Sequence, residues 1–296
     1  SEEIGSRFKE ARLQRNASQR EQLTQDASRR GNTDEKYSRV ATGVRPESGG
    51  NRRGRDQSGT LTPLEGAPNV KGAAGPDENL VSIAEEYARA NGIDLRRQSE
   101  FVVVDEDRAT RIAEAYEEMQ HTPQDPVVKE AFRNLIDQTK SQYNALIDNG
   151  YEFTFFDSET DPYDENPFNA MRDLRANKRM AVYGTYDGYG TEGVTQGAVD
   201  DNPMLQDTGL VWKDQMGIDR PVTANDLFRA VHDAFGHGLE GSGFRARGEE
   251  NAWQAHVRLF TGSAIPAITS ETRGQNSWLN YGPYGETNRT AKLEDT

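Results

Sequence analysis

Leu80, Ile83, Ala84, Tyr87 and Ala88 recur at steps of three and four, which places them on one face of a helix, and Asn91-Gly92 directly after them is a C-terminal stop. A second helix is expected over Arg108–His121, closed by Thr122-Pro123. A third, long one runs from Asp125-Pro126 to Asn149-Gly150, with Val128, Ala131, Phe132, Leu135, Tyr143 and Leu146 mostly on one side. Phe101–Val104 reads either as a short strand or as the lead-in to the second helix. Alternation predicts strands at Tyr151–Phe156 and Met180–Tyr186. Between them Asp157–Asn166, acidic and followed closely by proline, reads as a loop, and Tyr186–Pro203 is a long Gly-rich connection. Thr223 stands where an N-cap belongs, ahead of Leu227, Phe228 and Val231 as a buried helical stripe. A further helix covers Glu249–Phe260. The pattern is that of an α+β domain over 79–296, predominantly helical with a small β element and without internal repeats.

Residues 1–78 follow a different rule. Glu2–Thr24 is a candidate short helix with few apolar anchors (Ile4, Phe8, Leu13, Leu23). Gly31–Pro76 is rich in Gly, Arg, Asn, Ser and Pro and cannot bury enough apolar surface to order itself. A low-complexity N-terminal extension is therefore expected, ordered by a protein partner. It explains why only 33% of the 296 residues are hydrophobic and why mean hydropathy is −0.90.

Charge divides at the same place. Residues 1–60 carry 13 basic and 9 acidic residues, leaving 22 basic and 40 acidic residues for the rest. So acidic a body repels a phosphate backbone and argues against nucleic acid as its partner. The sequence has no cysteine, which removes disulfides, thiolate metal sites and thiol nucleophiles, and points away from a disulfide-forming compartment. No apolar run approaches the length of a membrane span, and the start at Ser1 lacks the apolar core of a secretory signal. A cytoplasmic or virion-associated location is expected.

Candidate chemistry concentrates in the last quarter. Three of the four histidines, His232, His237 and His256, fall within 25 residues. In Val231-His232-Asp233-Ala234-Phe235-Gly236-His237 two imidazoles stand five residues apart, half of a transition-metal site. On a regular helix that step turns by about 500°, leaving the rings roughly 140° apart, so both face one ion only if the backbone departs from ideal helix. Gly236 is where that departure would be cheapest. On the next helix Glu249 shares a stripe with Ala252, Trp253, His256 and Phe260, whereas Glu250 lies on the neighbouring face. A carboxylate on a buried stripe needs a cation, a metal or donors. Glu249 is therefore a metal-ligand candidate, or else an ion-pair partner of Arg245 or Arg247 or a charge at the helix N-terminus. Glu271 and Arg273, followed by Gly274-Gln275-Asn276, either position a substrate anion or form an ordinary helix end. Asp161, Asp164 and Glu165 lack the spacing of a calcium loop and read as a solvated turn.

The His-Asp-x-Phe-Gly-His run within Phe228–His237 resembles the iron-binding motif of the aromatic amino acid hydroxylases, matching at His232, Asp233, Phe235, Gly236 and His237. The family's proline after the second histidine is replaced by Gly238. The resemblance implies a facial triad of two histidines and a later glutamate on non-haem Fe(II). Order of elements makes Glu271 the counterpart of that glutamate; stripe geometry favours Glu249. Phe228–Asn280 also looks like a domain of large phage-encoded proteins.

The expectation is a metal-dependent enzyme, a mononuclear non-haem iron hydroxylase with His232, His237 and Glu249 or Glu271 as ligands. His256 would be a fourth ligand or a support, Asp233 would orient an imidazole, and Arg273 would hold an anionic group of a small-molecule or peptide substrate. A zinc or manganese hydrolase would use the same ligands with Glu250 as base. A virion or assembly protein with a structural His/Glu cluster is the alternative.

Overall fold

A computed structural model describes residues 75–156, 161–163, 167–185, 202–213, 217–283 and 285. The extension expected over 1–78 lies outside them up to residue 74, as do Asp164, Glu165 and most of the Tyr186–Pro203 connection. Gly75–Glu78 already belong to the body. The Asp77 carboxylate caps the first helix by accepting from the Asn79 and Leu80 N–H groups, and its own N–H donates to Leu239 O at 3.1 Å.

The elements run α1 (Glu78–Ala90), α2 (Glu106–Glu118), α3 (Pro126–Asp148), β1 (Glu152–Phe156), α4 (Pro167–Asn177), β2 (Arg179–Tyr183), β3 (Asp207–Lys213), β4 (Asp219–Thr223) and α5 (Ala224–His232). A 3-10 turn (Pro203–Leu205) precedes β3, and a π-helical turn (Asp233–Gly238), α6 (Ala246–Val257), α7 (Ala264–Thr269), a second π-turn (Ser270–Gly274) and α8 (Gln275–Tyr281) follow α5. The fold is α+β and predominantly helical, with two small two-stranded sheets among the described residues.

Local chemistry explains most boundaries. All five apolar residues of the α1 stripe are buried. Asp125 caps α3 by accepting from the Val127 N–H, with Pro126 in the first turn. Thr223 and Asp226 form a reciprocal capping box on α5, and the Asp226 carboxylate also accepts from the Thr185 N–H at 2.6 Å. Residues 101–105 are irregular, the lead-in rather than a strand. β1 and β2 pair in parallel, from Glu152 opposite Arg179 to Phe156 opposite Tyr183, and α4 supplies the crossover that parallel neighbours require. Neither α4 nor the antiparallel β3–β4 pair stands out in the sequence pattern. β3 carries exposed Leu210 and Val211 and so lacks the alternation that marks a half-buried strand.

The larger core joins α1, β1, β2, α4 and the π-turn through Leu80, Leu146, Leu174, Met180, Val231, Phe235, Leu239 and Leu259. A second cluster gathers Leu135, Met204, Phe228, Phe260, Ala264 and Ile268 between α3, α5 and α7. α5 feeds one face into each cluster, the π-turn that follows it is buried, and α6 packs against that turn with Glu249, Ala252 and His256 on its buried side. No helix among the described residues is long and apolar enough to cross a membrane.

A candidate metal centre at the first π-turn

The departure from regular helix that the histidine spacing demands is the π-turn Asp233–Gly238. Its i to i+5 pattern makes residues five apart near neighbours, so His232 and His237 come to one side with ring centroids 5.2 Å apart. Gly236 serves the turn in a way other than expected. Its φ is not among the left-handed values. A Cβ there would lie 3.0 Å from His232 Cε1 and Nδ1 and 3.2 Å from Ala252 O. The glycine makes room for the imidazole.

α6 brings the acid. Glu249, in the first turn of α6, lies with its Oε2 3.4 Å from His237 Nε2 and 3.9 Å from His232 Nε2. Donor atoms of His232, His237 and Glu249 all fall within 4.8 Å of one another, and among the described residues no other group of three or more His, Asp or Glu side chains does so. Ligand atoms about 2.0–2.2 Å from a common ion sit roughly 3–4 Å apart, close to the two Glu249–histidine distances, so the group could hold one metal ion. The three residues are 6%, 1% and 7% exposed, a burial that a lone carboxylate would not survive without a cation. Glu249 Oε1 makes no hydrogen bond although it is buried.

Each ring is clamped from behind. His232 stacks on Phe228 at 5.9 Å, His237 on Phe244 at 4.3 Å, and His256 meets the edge of Phe260 at 4.9 Å. His237 Nδ1 lies 3.1 Å from Gly243 O. A carbonyl only accepts, so Nδ1 carries a proton, and Nε2 is the nitrogen that faces Glu249. Gly248 permits this, because a Cβ on it would overlap the Gly243 carbonyl. His232 Nδ1 lies 3.1 Å from His256 Nδ1, and His256 Nε2 lies 2.9 Å from Gln142 Oε1 on α3.

Electrostatics follow from burial and proximity. Burial works against the Glu249 carboxylate, but the two imidazoles outweigh it and hold its pKa below the usual range. Burial likewise lowers His237, yet Glu249, and secondarily Asp233, bring it out above the ordinary histidine value. His256, buried and facing two imidazoles rather than an acid, is depressed well below that value and stays neutral.

The remaining expected residues take other positions. His256 touches His232 through its Nδ1 and lies outside the three-donor group. Glu271 is also outside it; its carboxylate accepts from Gln275 Nε2 at 2.8 Å, and burial pushes its pKa up to about 7. Glu250 and Arg273, read as a base and as a substrate anchor, hold each other through two hydrogen bonds of 2.9 and 2.7 Å. Arg273 also lies over the Trp253 ring, 4.2 Å from its centroid. The pair fastens the second π-turn to α6. Asp233 is buried, but the Nδ1 atoms of His232 and His237 face His256 and Gly243. Glu249 meets the histidines, in place of the ion pair with Arg245 or Arg247 that was its alternative.

Sequence reasoning missed Gln142, Gly243, Phe244 and Gly248. Gln142 carried a signal: Leu135, Thr139, Gln142 and Leu146 form the buried stripe of α3, two of them polar. No protein-family profile, curated protein or solved structure matches the chain.

Proposed function

We propose that the chain is a metal-dependent enzyme of the mononuclear non-haem iron class, with His232 Nε2, His237 Nε2 and a Glu249 carboxylate oxygen as ligands. The observation that carries the reading is the buried three-donor group itself, with one Glu249 oxygen unpaired. Structural metal sites are usually closed by four protein ligands, whereas three protein donors leave positions for reactants. Two neutral nitrogens and one carboxylate, without sulfur, suit ferrous iron that must keep such positions open. The local resemblance of Phe228–His237 to the aromatic amino acid hydroxylases points the same way, with Glu249 in place of Glu271 as the carboxylate.

When bound, ferrous iron would supply the activation of dioxygen for hydroxylation. The chain contributes the setting. The Gly243 carbonyl, fixed against Gly248, holds the His237 ring at its proton-bearing nitrogen. Phe228, Phe244 and Phe260 back the imidazoles and keep water from them on that side. Glu249 offers one negative charge against two neutral rings, so a divalent ion leaves the centre at +1, suited to an anionic substrate or co-substrate group. A zinc or manganese hydrolase built on these ligands was expected to use Glu250 as base, and Glu250 is engaged by Arg273.

Metal analysis of the purified protein beside His232→Ala tests this. About one iron per chain, lost in the variant, is the expected result. Stoichiometric zinc or manganese would move the reading to hydrolysis. No first-row metal in either sample, even after anaerobic incubation with Fe(II), would overturn it.

A further inference from the structure

We infer that Gln142, on α3 and remote in sequence from the histidines, is a positioning residue that selects the metal-binding tautomer of His232 through His256. The inference rests on the metal reading above. Gln142 Nε2 donates to Leu259 O at 3.2 Å, a carbonyl that only accepts, which fixes the amide with its Oε1 toward His256. That oxygen also only accepts, so His256 Nε2, 2.9 Å away, carries the proton. A neutral His256 then presents a bare Nδ1, and His232 Nδ1, 3.1 Å from it, must donate. A proton on His232 Nδ1 leaves Nε2 as the atom with a lone pair for a metal, and Nε2 is the His232 nitrogen facing Glu249. The reverse order would put two acceptors, Gln142 Oε1 and His256 Nε2, against each other, or, with the amide flipped, Gln142 Oε1 against the Leu259 carbonyl.

All three side chains are buried, Gln142 and His256 completely, so water cannot replace a missing link cheaply. The chain accounts for one of the two polar side chains on the buried stripe of α3. It also gives His256 a role without making it a ligand: its Nδ1 is occupied by His232 and its Nε2 by Gln142.

The test uses the full chain with histidine ring nitrogens labelled with 15N, four residues in all. Nitrogen shifts of the metal-free protein are read together with Co(II) affinity, for the wild type, Gln142→Leu and Gln142→Glu. In the wild type His232 Nδ1 and His256 Nε2 should carry protons and His256 Nδ1 should be bare. Gln142→Leu, of similar size, removes the acceptor; His256 should lose its fixed tautomer and Co(II) affinity should fall about 10- to 100-fold. Gln142→Glu keeps an accepting oxygen toward His256 in either protonation state and should restore most of both readouts. A wild-type spectrum with the proton on His256 Nδ1 would overturn the relay, whatever the metal result. Correct tautomers with unchanged Co(II) affinity in Gln142→Leu would overturn the positioning role. Correct tautomers in a wild type that binds neither Co(II) nor Fe(II) would instead overturn the metal reading, and the positioning role with it.

Discussion

Replacing Gly236 by alanine separates the fold from the site. The added methyl would lie 3.0 Å from two atoms of the His232 ring, against an optimal carbon contact of about 3.5–4.0 Å, so the ring must retreat by roughly 0.5 Å. The same methyl would lie 3.2 Å from Ala252 O, a backbone atom that cannot rotate away. Such overpacking costs about 1–3 kcal/mol. Alanine recovers about 0.5–1 kcal/mol of that, because glycine loses more backbone freedom in a helix. The net loss of stability should be about 0–2.5 kcal/mol, and the metal-free protein should still unfold cooperatively. The site tolerates less. Metal–ligand distances must hold to about 0.2 Å, and His232 also loses alignment with His256. Metal affinity should fall at least about 10-fold, near 1.4 kcal/mol. Thermal unfolding of the metal-free protein and Co(II) titration of the same samples measure both. Wild-type affinity in Gly236→Ala would refute the close-approach argument. An unfolded variant would show that the turn needs glycine for its backbone after all.

Other substitutions probe the neighbouring shells. Gly248→Ala places a methyl in the Gly243 carbonyl and should displace the His237 acceptor; weaker metal binding together with a stability loss of about 1–3 kcal/mol is expected by titration and calorimetry. Glu271 sets a pH dependence of stability. Its folded pKa of about 7 lies above the ordinary 4.5, so the folded state holds the proton more tightly and stability is lost as pH rises from about 4.5 to 7. Glu271→Gln should therefore exceed the wild type by about 1–2 kcal/mol at pH 8, allowing for the residue's partial exposure, and match it near pH 4.5 in chemical denaturation. An equal difference at both pH values would contradict the assignment.

The sequence carried the local half of this structure. The α1 stripe, the Asp125-Pro126 start of α3 and the Thr223 cap are written in neighbouring residues, and each stands where the pattern places it. The histidine spacing required a break from regular helix and the π-turn is that break, although the stated reason for Gly236, backbone freedom, gave way to space for a ring. Stripe geometry picked out Glu249; element order, taken from the resemblance, picked out Glu271. The choice depended on which segment packs on the π-turn, a tertiary fact. Gln142 and Gly243 were out of reach for the same reason, since their meaning lies in what they touch. α4 and the β3–β4 pair lacked a periodic apolar signal strong enough to declare them.

The central claim is that Glu249 completes a metal site with His232 and His237. Anaerobic Fe(II) titration of the wild type, Glu249→Gln and Glu271→Gln, with bound iron counted after gel filtration, tests it most directly. One iron per chain in the wild type and in Glu271→Gln, with loss in Glu249→Gln, is the predicted outcome. Iron retained by Glu249→Gln and lost from Glu271→Gln would contradict it.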